Sequence, residues 1–478
     1  MKRVAVTALA VALMLAGCAR ESYRPKPLDP DGSAAALAAR SLASGELRRY
    51  LEAQGRSPQP WPRQSWDLSS LTLAAVFHHP EIEVARARAR LAAAEKDTSK
   101  TRLPYTLTAR PEFNDKESGG DTPWGIGVLV GLPLDTGGKR QARTEQLERI
   151  EEAAKLEIAV ATWRVRSRLR RHFVDLYVAD RTHKALEAEH LERGRLLSLM
   201  ERRLTAGMVS AADVSALRIR QAESDLALRR AAVRQDQAMA GVAEAVGVPL
   251  AELERVEFDF AAVSQPAPAP EGEGLQRTAL THRIDLRRKL ADYASAEAAV
   301  KLEVARQYPD ITLAPGYFWD ADESIWSVAV LSLVPPTART RALIREAELR
   351  REIEAKAFVA IQSAILAEAQ AAASRYRHAV AAHAAAQQLV NDARERKRRI
   401  DRQFERGYAD RVDVVTAALE TAVTERAAIV ATLEMQQGLS ALEDAVQRPL
   451  DNPDLLAAPS AAAVQPDPSL NPALLDND

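Results

Sequence analysis

The sequence has almost no cysteine, 1 in 478 residues. That excludes a disulfide framework and any thiolate metal cluster. Aromatic residues are scarce as well, at 5%, so the 47% hydrophobic content is carried by alanine and the aliphatics. Alanine mixed with Arg, Glu and Leu is the composition of long helices packed through small contacts. Neither charge sign dominates: 65 Lys and Arg face 66 Asp and Glu, a net charge of −1. A nucleic-acid binder would carry a basic footprint, so nucleic acid is not an expected partner. Nucleophile elbow, Walker loop, zincin box and dinucleotide fingerprint are all missing, so no catalytic site and no cofactor are expected. The 8 histidines (His78, His79, His172, His183, His190, His282, His378 and His383) include no i, i+4 pair. They read as solvated helix positions, and no metal site is expected.

What the first twenty residues do contain is a leader. Lys2 and Arg3 precede an apolar or small run from Val4 to Gly17. This run is too short to span a bilayer and reads as a signal peptide, residues 1–17. Its end, Leu15-Ala16-Gly17-Cys18, resembles a bacterial lipoprotein cleavage box, which implies a lipid (palmitate) on Cys18. Ala19, where an aspartate favours inner-membrane retention, points to the outer membrane. No later apolar run reaches the length of a transmembrane helix, so none is expected. Residues 18–64 form an N-terminal extension, with Glu21 to Ser33 read as extended.

Proline and glycine punctuate the rest unevenly. No proline lies between Pro133 and Pro249, or between Pro336 and Pro449. Gly194 is the only breaker in 139–206, and 338–406 contains none. Both must be helices. At about 1.5 Å per residue each runs roughly 100 Å, so they are shafts of an elongated assembly.

The two shafts belong to copies. Arg202 to Gly207 lies 200 residues before Arg402 to Gly407, and the same offset pairs Asp213-Val214 with Asp413-Val414 and Pro249-Leu250 with Pro449-Leu450. A tandem duplication follows, with each repeat far longer than a solenoid unit. The first repeat, 65–264, holds a helix, a hairpin at 105–134, the long helix 139–206 and a return helix 210–247. A Pro/Ala linker spans 265–274. The second repeat, 275–450, has its hairpin at 310–336, its long helix at 338–406 and its return helix at 410–447. The acidic Pro/Ala tail 451–478 reads as disordered.

Each hairpin alternates with period two. Tyr105, Leu107, Ala109, Pro111 and Phe113 alternate with Thr106, Thr108, Arg110 and Glu112. Trp124, Ile126, Val128, Val130 and Leu132 alternate with Gly125, Gly127, Leu129 and Gly131. This suits transmembrane barrel strands with one face to lipid and Thr106, Thr108, Arg110 and Glu112 facing the lumen. Phe113, Trp124, Phe318, Trp319 and Trp326 resemble an interfacial aromatic girdle. Soluble hairpins capping a helical bundle would be the alternative. Four strands cannot close a barrel, so two, three or four chains would supply roughly 8, 12 or 16 strands.

A lipoprotein signal, a duplicated helix–hairpin–long helix–helix unit and a Gly-Asp turn in each copy together resemble the TolC-like outer-membrane efflux factor family. Gly131 to Arg140 looks like the strand-to-helix crossing of its CzcC-like heavy-metal branch, and Ser332 to Pro336 like the second crossing. His79-Pro80-Glu81-Ile82 and His282 to Leu286 resemble its helix openings. The resemblance implies a mainly α fold with a small transmembrane β part. Three chains would share one barrel of about 12 strands above a periplasmic α-barrel. It implies a homotrimer in the outer membrane, docked through a periplasmic adaptor to an inner-membrane RND-type pump. Such a duct passively exports heavy-metal cations or drugs.

The turns can be built from their own residues. Gly207 ends the first long helix in a left-handed conformation, and Ser210 caps the next with Asp213 at its third position. Gly407, Asp410 and Asp413 repeat the device. By resemblance these tips form the entrance, with Gly207, Met208, Arg406, Gly407 and Tyr408 as adaptor-docking candidates. Asp213, Asp410, Arg411 and Asp413 are the aperture candidates. Ala409 stands where the family often has arginine, and Thr416 where it has a second acid. An acylated periplasmic coiled-coil scaffold without a pore is the competing function.

Overall fold

The computed structural model describes residues 23–55, 60–113, 124–270, 272–320, 323–452 and 455–456. Cys18, the leader and most of the 451–478 tail lie outside the described residues. Residues up to Arg40 and those from Ser41 onward form two units. In the first, α1 (Pro30–Ala38) begins behind Asp29, whose carboxylate accepts from the Gly32 amide at 3.0 Å. Residues 30–33, expected to be extended, are therefore helical, because Asp29 caps and Pro30 is preset for the first turn.

The second unit runs α2 (Gly45–Ala53), β1 (Ser65–Trp66), α3 (Leu68–His78), α4 (Pro80–Lys100), β2 (Thr106–Phe113) and β3 (Trp124–Leu134). Then come α5 (Lys139–Thr205), α6 (Ala211–Val246), α7 (Leu250–Leu253) and β4 (Glu257–Phe258). The second copy gives α8 (Gly272–His282), α9 (Ile284–Ala305), β5 (Asp310–Asp320), β6 (Glu323–Leu333), α10 (Thr337–Glu405) and α11 (Arg411–Val446). The shafts α5 and α10 have 67 and 69 residues, about 100 Å each. Their length follows from the missing breakers.

The four long strands form one antiparallel sheet in the order β2-β3-β5-β6. The central pair, β3 with β5, joins the two repeats. Further along the shafts sit two apolar cores. One gathers Leu47, Leu51, Trp66, Leu71, Ile82, Leu169, Phe173 and Val242. The other gathers Leu275, Leu286, Ile365, Tyr376, Met435 and Leu442.

Two segments gain detail here. The Pro/Ala linker is held against the second repeat. Ala267 and Ala269 pack on the second core, Tyr376 Oη donates to the Ala267 carbonyl at 2.7 Å, and α8 starts at Gly272. Short apolar side chains let an extended Pro/Ala segment lie flat on a helix face. Also, a window within α10 has mean hydropathy 1.2, enough by length and composition to cross a membrane, with 17% of it buried. Its alanines raise the hydropathy without any long run of large apolar residues. Composition alone therefore does not make α10 a membrane span, and the sequence still holds no later run of 18 apolar residues.

Candidate functional site

The sheet sorts its side chains by register. Thr106 faces Gly131, Thr108 faces Leu129, Arg110 faces Gly127 and Glu112 faces Gly125, so these eight share one side. Gly125, Gly127 and Gly131 are buried there, and a Cβ at Gly127 would meet the Phe318 ring at 2.5 Å. The glycines make room for neighbouring side chains that lean across the strand. Arg110 pairs with Glu112 at 2.5 Å on this side. The opposite side carries Leu107, Ala109, Pro111 and Phe113, then Ile126, Val128, Val130 and Leu132, then Leu313, Pro315, Tyr317 and Trp319, then Trp326, Val328 and Val330. It is an apolar face across all four strands, and Trp326, Val328 and Val330 are 81%, 66% and 65% exposed. Phe113 stacks edge-on against Trp124, and Tyr317 against Trp326. Phe318 is a correction: it pairs with Gly127 and Ile325 on the glycine side, one residue out of phase with the girdle.

At the far end of the shafts each helix closes as its sequence dictates. Gly207 and Gly407 hold φ of +71° and +78°. The Met208 amide donates to Arg203 O and the Tyr408 amide to Gln403 O, both at 2.8 Å. These bonds satisfy carbonyls that a helix end leaves open. Met208 and Tyr408 are exposed, as is Arg406. Both return helices start with a capping box. Ser210 Oγ accepts from the Asp213 amide at 3.2 Å, and the Ser210 amide donates to Asp213 Oδ2 at 3.3 Å. In the second copy Asp410 takes the cap, and its own amide donates to Asp413 Oδ2 at 2.9 Å. Arg203 pairs with Asp410, joining the two tips. That guanidinium holds the Asp410 carboxyl below the usual carboxylate range. Arg411 is exposed at the first position of α11.

Between tips and sheet lies a cluster that the sequence did not announce. Arg166 on α5 donates to Glu443 on α11 at 2.8 and 3.3 Å, and Arg170 reaches the same carboxylate at 3.2 Å. Arg170 also donates to Ser440 Oγ at 3.0 Å and Gln436 Oε1 at 2.8 Å, and the Leu450 amide donates to Glu443 Oε1 at 2.8 Å. Burial pushes the Glu443 carboxyl up, but Arg166 and Arg170 outweigh it and hold it below its ordinary value. Nearby, burial raises Asp444 although Ser167 and Trp163 donate to it. Gln436, Ser440 and Glu443 recur at helical spacing beside Met435, Leu439 and Leu442. That polar stripe within a core face was the available signal.

The histidines need correction. His78, His79 and His383 are buried, not solvated. His79 caps α4 with Nδ1 accepting from the Glu81 amide at 3.2 Å, and Glu81 binds Arg164 and Arg168. The second copy inverts these charges: Arg283, before α9, donates to Glu368 on α10 at 2.6 Å. Both contacts fix where a short helix meets its shaft. Among the described residues no His, Cys, Asp and Glu group could hold a metal ion.

A mainly helical chain with duplicated shafts and a small sheet at one end has the fold of outer-membrane channels. CusC superposes with a TM-score of 0.64 at 15% identity, covering 79% of this chain and 91% of that one. VceC of Vibrio cholerae gives 0.64 at 18% identity, covering 84% and 97%. Residues 75–248 match the family model described as outer membrane efflux protein. The cobalt-zinc-cadmium resistance protein CzcC of Cupriavidus metallidurans is 27% identical over 210 residues, 43% of this chain. That match spans 48% of the relative's length. The resemblance to the efflux factor family and its CzcC-like branch therefore holds. The matching family is described as an efflux protein of the outer membrane, not as an enzyme, and CusC is described as forming a transmembrane channel.

Proposed function

We propose that the chain is the outer-membrane channel of a tripartite efflux system, a passive duct from periplasm to exterior. The observation that carries this is the exposed apolar face across β2, β3, β5 and β6, backed on β2 and β3 by polar side chains and glycines. The reverse of β5 and β6 mixes Thr312, Gly316 and Ser327 with Ile325, Leu331 and Leu333. An apolar face of that extent fits lipid, and Thr106, Thr108, Arg110 and Glu112 on the reverse of β2 fit a water-filled lumen. The sheet ends in two unpaired edges, β2 and β6, which hydrocarbon does not tolerate. Four alternating strands place β6 antiparallel to β2 of a second copy, so copies can join edge to edge. A homotrimer then closes a barrel of about 12 strands, with Thr106, Thr108, Arg110 and Glu112 toward the lumen.

On this reading Cys18 carries the lipid anchor and the shafts form the periplasmic tunnel. The tips at Gly207, Met208, Arg406, Gly407 and Tyr408 meet a periplasmic adaptor, and an RND-type pump supplies the energy. Asp213, Asp410, Arg411 and Asp413 line the entrance. Likeness to CzcC favours heavy-metal cations over drugs as cargo. Heat-modifiable migration as an SDS-resistant oligomer, with conductance in planar bilayers, is the expected result. A soluble chain without conductance would establish the scaffold instead.

A further inference from the structure

The duplication supplies an internal control for the two tips. Arg398 and Arg402 on α10 and Arg406 at its C-cap recur every fourth residue, and Arg411 follows at the start of α11. The corresponding residues of the first repeat, at offset 200, are Ser198, Arg202, Ala206 and Ala211. One tip therefore carries four arginines where the other carries one.

These four differ from the cations around them. Arg394 pairs with Glu425, Arg396 with Glu420, Lys397 with Asp401 and Arg399 with Glu395. Arg398, Arg402, Arg406 and Arg411 are exposed and pair with no carboxylate among the described residues. Arg411 is also placed against local electrostatics. A cation in the first turn of a helix faces the positive end of its dipole, an arrangement that costs about 0.3–1 kcal/mol. Ala211 avoids that cost in the other copy. An unneutralised row that a helix terminus disfavours, on one of two copies, marks a surface kept for something outside the chain.

We propose that the second-repeat tip binds an acidic helical segment of a partner protein through this arginine row, and that the first-repeat tip contributes no such charged contact. The proposal rests on the reading of the tips as the adaptor-facing end, and it adds the partner's charge and the choice between tips. Arginines whose Cβ atoms lie about 6 Å apart at i, i+4 match carboxylates at the same helical spacing on a partner helix. Exposed charges of this kind act on the association rate and confer salt dependence.

The test uses the full-length purified oligomer and two synthetic helical hairpins of equal length, one glutamate-rich and one lysine-rich. Binding is followed by biolayer interferometry at low and high salt. Wild type should bind the glutamate-rich hairpin and lose affinity as salt rises. Changing all four arginines to glutamine should slow association roughly tenfold, while Arg202→Gln changes it less than about twofold. The four-lysine variant should retain binding, which separates charge from folding. Unchanged binding in the glutamine variant, an equal effect of Arg202→Gln, or equal capture of the lysine-rich hairpin would overturn the proposal. So would arginine-dependent capture of phosphatidylglycerol vesicles without hairpin binding, which would make the surface a lipid contact. Planar-bilayer conductance of the same preparation judges the channel reading separately. A conducting oligomer that ignores the acidic hairpin would retire the docking surface and leave the channel.

Discussion

Glu443→Gln isolates the charge in the buried cluster, because glutamine keeps the size and much of the hydrogen bonding of glutamate. The Arg166 and Arg170 side chains it faces are 1% and 5% accessible, so water cannot replace the lost carboxylate. Removing one partner of such a group costs about 3–5 kcal/mol. At roughly 1 °C per kcal/mol for a unit of this size, the melting midpoint should fall by about 3–5 °C. Circular dichroism of the detergent-solubilised protein measures it. Arg166→Met/Arg170→Met/Glu443→Leu should recover most of the loss, since apolar replacement of a whole buried ion cluster is near neutral. Folding lowers the Glu443 pKa, so its contribution is complete above the unfolded value of about 4.5 and is lost as pH falls through the lower folded value. Wild type should thus lose stability more steeply than Glu443→Gln below that pH. A single variant melting within about 2 °C of wild type, or a triple variant worse than the single, would refute the reasoning.

Other expectations concern membrane, tips and anchor. Val128→Arg or Val330→Arg puts a cation on the apolar face at about 2–4 kcal/mol per copy and should block formation of the SDS-resistant oligomer, whereas Thr108→Arg should be tolerated. Equal tolerance at all three positions would sink the barrel. Gly407→Val forces a β-branched residue to φ of +78°, a strain of at least about 1 kcal/mol, and should leave inserted oligomers that no longer dock a partner. Asp413→Ala breaks the second capping box at about 0.5–2 kcal/mol and, if the carboxylates narrow the entrance, also raises single-channel conductance. Unchanged conductance with lowered thermal stability would leave Asp413 as a cap alone. Cys18→Ser should abolish acylation yet keep much of the export. A soluble monomeric product would instead make the lipid the main anchor.

Some of this architecture is written locally. The lengths of α5 and α10 follow from the missing proline and glycine, and the tip turns from Gly207-x-x-Ser210-x-x-Asp213 and its second-copy counterpart. Each involves groups within one or two helical turns, so neighbouring residues suffice to specify it. The period of two in 105–113 and 124–132 likewise fixed which side chains share a face. What lay beyond the sequence required partners far apart along the chain. Nothing near β3 says that, besides closing its own hairpin with β2, it pairs with β5 along its other edge. Phe318 was misplaced because its face depends on the register with Gly127. His79 was read as solvated because only the arrival of Arg164 and Arg168 from α5 buries it against Glu81. That the Pro/Ala linker docks on the second core was not legible, because Tyr376, 109 residues away, supplies the bond. Glu443 became a buried ion for the same reason, since its counter-charges come from the other repeat, 277 residues distant in the case of Arg166. Helix propensity and capping act over a few residues, whereas burial and ion pairing depend on which surfaces meet, and only tertiary packing decides that.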